Sequence, residues 1–550
     1  MCGIAFYRRK FIGSLEPQMY EDLNKMRKRG PDNLNLKYLD KETAIGHTRL
    51  AINGLSKTFN QPYTEDNQNY LIFNGEIYNF RNEDNKFLSD TKYLYENLLN
   101  RISSADRLID FLKRIDGVWA FVFLTKDKVI VSRDTFGEKP LHQHQNKQEG
   151  FFSFTSSEST FASQNTDSKE YLPNTLSILS RSDLQVLESR KIHSFKLTRE
   201  PIQNAVFKAE YHQMIINSVA RRADCDVSMA CTVSGGLDSS LIAAIMSKTI
   251  EKPCTYYTIK FLEDSGEYKY VQYLEDTLGI EVRVCNLNIP DYFKHLSEKY
   301  HELPKNINSP SAIAHSLLMK KISDDGFKVC LDGQGADEYL GGYHFQFVEH
   351  VMYRLKHRLS IFEGLKLLTG TRKIFSGAMI NYAFRILRTR KIQKDMDILC
   401  ASLLMSPLPS LLSYTDYVSM DNSVEVRTPY LYVDLVKFSL KHNPRQIEPL
   451  YSKPVLRQLL QEYQLDFIAS RKDKMGYELP WLGMCKYLKT NEGRLYMPEV
   501  FRSKEKNVID IIMYTIFKLC LKLYPKQAMY IYMKLLKKFN IRTHADGTLS

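Results

Sequence analysis

The chain has 550 residues, 43% of them apolar and 25% charged, and its 76 Lys and Arg exceed its 63 Asp and Glu by 13. That length is too great for one core and implies two or three domains, while the composition excludes a disordered or fibrous chain. The nine cysteines are scattered without a CxxC pair or a Cys/His cluster, which argues against a disulfide framework or a zinc site and for a reducing, cytoplasmic setting.

The first residues read MCGIAFY. No basic segment followed by an apolar one stands there, so no signal peptide is expected. A cysteine in second place becomes the amino terminus once Met1 is removed. An α-amine titrating near pH ~8 then lies beside its own thiol as a built-in base. The competing reading of Cys2 is a small residue ahead of a strand. Up to residue 160, GIAFY, AIGHTRLAI, YLIFNGEIY, VWAFVFL, KVIVSRD and FFSFTSS are aromatic and branched runs broken by Gly, Asn and Asp, the pattern of strands. Helices are expected near 17–29 and 91–100, giving an α+β pattern whose sheets can stack as a sandwich.

A polar stretch near 180–203 reads as irregular, and beyond it the period changes. The strand VSMACTV is followed by the helix LDSSLIAAIMSKTI, the strand TYYTIKF, the helix YKYVQYLEDTLG and the strand EVRVCNL. Helices near 291–302 and over SAIAHSLLMKKIS then lead to the strand FKVCLDG. Such alternation predicts a doubly wound parallel α/β sheet, with ligands at the carboxyl ends of its strands. Two loops fall at such ends. In SGGLDSS, Gly235 and Gly236 permit close approach, Ser234, Ser239 and Ser240 supply hydroxyls, Asp238 can hold a cation, and the next helix offers its amides. This is a phosphate cradle by its chemistry, although no Walker sequence is present. LDGQGADEYLGGY adds Asp337 and Glu338, hard oxygen donors suited to magnesium beside substrate phosphates.

Separated motifs in one order carry a family resemblance over roughly residues 1–485. MCGI, RGPD (29–32), HTRLAI (47–52), NGEIYN (74–79) and SRDTFGEKPL (132–141) resemble a class II glutaminase domain of the N-terminal-nucleophile type. SGGLDSS, GADEYLGGY, DNSVEVRTPYL (421–431), SKPVLR (452–457) and RKDKMGYELP (471–480) resemble the N-type ATP pyrophosphatase domain of glutamine-hydrolysing asparagine synthetases. The resemblance implies a glutaminase domain over 1–190, a synthetase domain over 205–490 and a basic helical extension over 491–550. It implies Cys2 as the nucleophile toward glutamine, with Asn74 and the Gly75 N–H as the oxyanion hole. Arg49 would take the glutamine α-carboxylate, and Asp90 and Glu76 its α-ammonium. ATP would lie on Val233, Ile259, Asp332 and Gly333, its pyrophosphate on the 234–240 loop, with Mg2+ on Asp238 and Asp337 and Lys453 neutralising developing charge.

Two departures bear on the acceptor. Gln334 stands where the family usually has Glu, and an amide cannot act as a base. NSPSAIAHS (308–316) lacks the Arg of the family's aspartate-recognition stretch. The expected reaction is glutamine- and ATP-dependent asparagine synthesis. Amidation of another carboxylate, such as a uronic acid, is the alternative, and a non-catalytic relative is the third reading. The basic, apolar stretches 351–394 and 515–538 carry no nucleic-acid-binding motif and are too short in their apolar runs to span a bilayer of ~20 residues. Small-molecule substrates and no nucleic acid are therefore expected. Peripheral contact with an anionic membrane and a homodimer stay open.

Overall fold

The computed structural model describes residues 2–9, 16–82, 87–158, 166–195, 203–250, 252–262, 268–299, 310–343, 404, 407–442, 453–471 and 479–490. The basic stretches 351–394 and 515–538 and the extension 491–550 lie outside them.

In the first half, strands alternate sides along two antiparallel sheets. One sheet has the order β2 (Asn33–Tyr38), β3 (Thr43–Arg49), β1 (Gly3–Arg8), β8 (Phe151–Thr155), β7 (His142–Asn146), β9 (Asp167–Glu170). The other runs β11 (Val186–Lys191), β10 (Thr175–Ser180), β6 (Lys128–Arg133), β5 (Gly117–Leu124), β4 (Tyr70–Ile77). Period two decides what each face buries. Ile4 and Phe6 of β1 point inward and meet Ile72, Val122 and Val131 from the facing sheet. Ala5 and Tyr7 point outward, under Met19 and Leu23 of the helix Glu16–Lys25. On the opposite outer face, Phe73, Phe121 and Phe123 pack against Leu94 and Leu108 from the helices Asp90–Leu99 and Ala105–Arg114. The result is a four-layer α/β/β/α sandwich, the N-terminal-nucleophile architecture. Cys2 stands at the amino end of its β1.

The sequence reading missed the helix Ala105–Arg114. Its start is signalled by Ser104, whose side chain accepts the Asp106 N–H and caps it. Residues 180–203 are also not wholly irregular, because β11 lies within them. Its side chains are exposed along nearly its whole length, so this edge strand shows no alternation to read.

The second half is built on a five-stranded sheet in the order β14 (Val282–Leu287), β13 (Cys254–Phe261), β12 (Met229–Thr232), β15 (Val329–Leu331), β16 (Glu425–Arg427). All four pairings are parallel. Met229 and Cys231 face one apolar cluster and Ala230 the other, so the sheet is covered on both sides as a doubly wound sheet must be. The chain leaves β12 toward β13 and β14, then returns to lay β15 and β16 on its other side. The reversal falls between β12 and β15, which is where an open α/β sheet presents its crevice.

The halves are joined by charge. Arg29 bonds Asp416, Lys28 bonds Asp421, Lys328 bonds Asp32, and Arg81 bonds Asp224 and Asp226. Among the described residues no helix is long and apolar enough to cross a membrane. The seven described cysteines are all free.

Candidate active site

A cleft at the amino end of β1 is lined by Cys2, Arg49, Gly75, Glu76 and Asp90, among others. Cys2 is buried, and its backbone N–H donates to the Asn74 side-chain oxygen at 2.9 Å. That bond orients the Asn74 amide, leaving its Nδ2 buried and without a hydrogen-bond partner among the described residues. An idle buried donor costs free energy in the resting state, so it marks a position where a ligand oxygen can accept from it. Beside it, Gly75 faces Trp119 across β5, and a Cβ there would collide with the Val118 carbonyl. Burial pushes the Cys2 thiol above its ordinary pKa, so the resting sulfur keeps its proton and needs a base.

The cleft's charges are arranged unequally. Arg49, at the end of β3, donates from one terminal nitrogen to the Ser56 carbonyl (2.9 Å) and Asn60 Oδ1 (2.7 Å), and from the other to the Gly54 carbonyl (2.5 Å). It thus braces the 53–60 loop while forming one wall. Burial pushes Asp90 up to about 6, and burial together with the Asp90 charge lifts Glu76 well above the carboxylate range. Asp90 also caps β4, accepting the Ile77 N–H at 3.3 Å.

The second cluster forms at the carboxyl edge of the parallel sheet. Val233 follows β12, Ile259 lies on β13, and Asp332 and Gly333 follow β15, so one edge gathers all four. Gly235 has φ +67°, and a Cβ on it would lie 2.6 Å from Tyr270 Cβ, which explains the residue type. Ser239 Oγ accepts the Ser234 N–H at 3.1 Å and contacts Ser234 Oγ at 3.1 Å, closing the loop on the first turn of Leu237–Lys248. Gly236 is the residue before that helix, and its N–H reaches Ser234 Oγ at 3.4 Å. Ser240 is fully buried, unlike Ser234.

Lys453 comes from the far side of this half and sets its Nζ 2.6 Å from both oxygens of Asp238 and 2.6 Å from Asp337 Oδ1. Burial opposes the Lys453 charge, but the two aspartates outweigh it and raise its pKa. Glu338 turns away from the pair, taking the Tyr343 hydroxyl at 2.6 Å. Gln334 is held at both ends: its Nε2 donates to the Tyr414 hydroxyl (3.2 Å) and its Oε1 accepts from Thr415 Oγ1 (2.9 Å). Its backbone N–H bonds Asp332 Oδ1 at 3.0 Å, and Asp332 Oδ2 takes the Thr232 hydroxyl at 2.8 Å.

Residues 210–517 match the family described as Asparagine synthase, and residues 1–199 match the Glutamine amidotransferase domain. The chain belongs to the asparagine synthase family. A probable glutamine-hydrolysing asparagine synthetase of Acanthamoeba polyphaga mimivirus is 26% identical, over 63% of this chain and 68% of the relative. A putative asparagine synthetase of Methanocaldococcus jannaschii is 26% identical over 62% of this chain and 76% of its own length. Asparagine synthetase 2 of Arabidopsis thaliana is 27% identical over 62% of this chain, and the match spans 61% of that protein, under two thirds of its length. As a member of the asparagine synthase family with a glutamine amidotransferase domain, the chain falls in a class of glutamine-hydrolysing ligases that use ATP.

Reading the sequence did not single out Arg427 or Glu425, though both lie in a quoted motif. On β16, Arg427 is fully buried, its Nε 2.7 Å from Glu425 and its Nη2 3.3 Å from Glu76 of the Cys2 cleft. Burial works against the Glu425 charge, and surrounding positive charge, Arg427 included, outweighs it and holds that carboxyl at about 2. Glu425 and Arg427, two charged residues two positions apart in an otherwise apolar strand, were the available signal, whereas Glu76 lies on a distant strand of the other half.

Proposed function

We propose that the chain makes asparagine from aspartate, taking nitrogen from glutamine and energy from ATP, with glutamate, AMP and pyrophosphate as the other products. The observation that carries this reading is the pairing, in one chain, of the Cys2–Asn74 cleft with a phosphate-type loop at the switch point of a parallel sheet. With Met1 removed, the Cys2 α-amine takes the thiol proton as Sγ attacks the glutamine side-chain carbonyl. Asn74 Nδ2 and the Gly75 N–H receive the oxyanion, Asp90 and Glu76 meet the α-ammonium, and Arg49 meets the α-carboxylate. As the tetrahedral intermediate collapses to a thioester, the C–N bond breaks and the Cys2 α-ammonium returns its proton to the departing amide nitrogen, which leaves as ammonia. Water later frees glutamate from the thioester.

In the other half, the 234–240 loop cradles pyrophosphate while the acceptor carboxylate attacks the α-phosphorus. Lys453 neutralises the charge that develops on the leaving group. Asp238 and Asp337 converge on a single cationic group, so these two carboxylates would hold Mg2+ together with substrate phosphate oxygens. That ion supplies charge neutralisation on phosphate oxygens when bound. Ammonia then displaces AMP from the acyl-adenylate. The reading is tested by pyrophosphate release across a panel of carboxylic acids. Aspartate-dependent release with glutamine or ammonia is the expected result, and release with another acid alone would move the acceptor.

A further inference from the structure

The turn Arg27–Arg29 sits between the two halves, and Arg29 has its guanidinium divided between them. Its Nε donates to the backbone carbonyl of Cys2 at 3.1 Å. Its two terminal nitrogens fork onto both oxygens of Asp416, at 2.7 and 3.0 Å. Both side chains are nearly buried, 11% and 6% exposed, so water does little to weaken the pair. Asp416 belongs to the helix Leu408–Met420, whose preceding two residues, Tyr414 and Thr415, are the ones that grip the Gln334 amide. Gln334 in turn bonds Asp332 at the carboxyl end of β15. Polar contacts on either side of one helical turn, Asp416 on one and Tyr414 and Thr415 on the other, therefore connect the carbonyl of Cys2 with the edge of the parallel sheet. The end of the same helix is anchored a second time, through Asp421 to Lys28 at 2.8 Å.

We propose that the Arg29–Asp416 fork couples the two sites, so that acylation of Cys2 changes ATP affinity and ATP binding changes the reactivity of Cys2. The inference rests on the two-site reading above. Loading the Cys2 sulfur moves the residue whose carbonyl Arg29 holds. Because the fork is rigid and bidentate, that movement passes to the Leu408–Met420 helix and to Gln334. The linkage is reciprocal by thermodynamic necessity. Arg29 and Asp416 are positioning residues here, since neither touches a substrate.

The test measures ATP dissociation constants by calorimetry on the full chain, before and after alkylation of Cys2 by a diazoketone analogue of glutamine. The expected ratio in the unaltered protein is about 5- to 150-fold, the usual span of coupling between sites. Asp416→Asn keeps the shape and loses the charged fork, and Arg29→Lys keeps the charge and loses the geometry. Both should bring the ratio toward one. A merely structural role would weaken ATP binding equally in the free and alkylated states and leave the ratio intact, which overturns the proposal. A ratio of one in the unaltered protein overturns it too. If the analogue does not label Cys2, or ATP does not bind the unmodified chain, the two-site reading itself fails. That outcome is distinct from a fork that transmits nothing.

Discussion

The two clefts prepare for their substrates in opposite ways. At the amino end of β1 the attacking and receiving groups are uncharged at rest, a protonated thiol and an oriented amide with an idle donor, beside a carboxyl pair whose pKa values burial has raised. At the carboxyl edge of the parallel sheet the centre is a compact triad of charges, with Lys453 held between Asp238 and Asp337. The difference follows the substrates proposed. A neutral amide develops one transient negative charge, for which a fixed dipole suffices. A polyphosphate arrives with several charges, and a lysine meant for it must be kept company until then, since a lone buried ammonium would lose its proton.

The contrast breaks most sharply at Cys2. Cys2→Ala is expected to lower glutamine-dependent glutamate release by a factor on the order of 10⁴–10⁶, as loss of a catalytic nucleophile typically does. Synthesis from added ammonia should stay near the unaltered rate, and pyrophosphate release with ammonium salt checks this. Retained Met1 should reproduce the mutant, because it blocks the amine.

Next in size are single preorganised groups, one from each cleft. Asn74→Ala removes the oriented donor and should cost glutamine hydrolysis a factor of about 100–1000, with ammonia-driven adenylation unaffected. Lys453→Ala or Asp238→Asn should cost about the same factor in pyrophosphate release and spare hydrolysis. Measuring glutamine hydrolysis without ATP, and ammonia-driven pyrophosphate release without glutamine, in all three variants removes any coupling between occupied sites. A loss of about 100–1000-fold in the other cleft's reaction would mean the clefts are not separate.

A smaller effect is pH-dependent. Burial raises Asp90 from 3.8 to about 6, so the folded state holds this proton more tightly than the unfolded chain does. Its contribution to stability accordingly falls as pH rises from 3.8 to about 6 and is constant above. The carboxylate proposed to meet the glutamine ammonium appears over the same window. KM for glutamine should therefore drop several-fold as pH passes upward through about 6, and Asp90→Asn should flatten that profile. The smallest effect serves as a control outside both clefts. Ser104→Ala removes the cap of Ala105–Arg114 and should lower stability by about 1 kcal/mol, seen in thermal unfolding, with both half-reactions unchanged.

Much of this was legible because it is local. GIAFY and YLIFNGEIY declare their strands by branched and aromatic residues, and VSMACTV followed by SGGLDSS announces a strand, a tight turn and a helix. β11 was not legible, since an exposed edge strand has no face to bury and so no pattern to show. The cap at Ser104 is legible, since a serine stands directly before the amphipathic run of Ala105–Arg114. Within the site, Cys2, Asp238 and Lys453 stand out by their motifs. The pairings that give them their properties do not, because Lys453 meets Asp238 across 215 positions and Arg29 meets Asp416 across 387. Gln334 illustrates the same limit: the sequence shows a lost acid, and only the fold shows that Tyr414 and Thr415 hold the amide at both ends.

Arg427 carries a consequence for modularity. Its side chain bonds Glu425 and the backbone carbonyls of Arg222 and Asp224, and it reaches Glu76 in the sandwich. Its own carbonyl takes the Asp332 N–H at 3.0 Å, so the same residue pins the strand end that borders the 234–240 loop. A chimera that replaced the sandwich with a foreign one would have to supply a polar group where Glu76 stands. Without it, the Nη2 of a fully buried guanidinium would face an apolar surface, with Glu425 left as its ionic partner. Recombination between such chains is thus constrained at a seam that no surface comparison of the two parts would reveal.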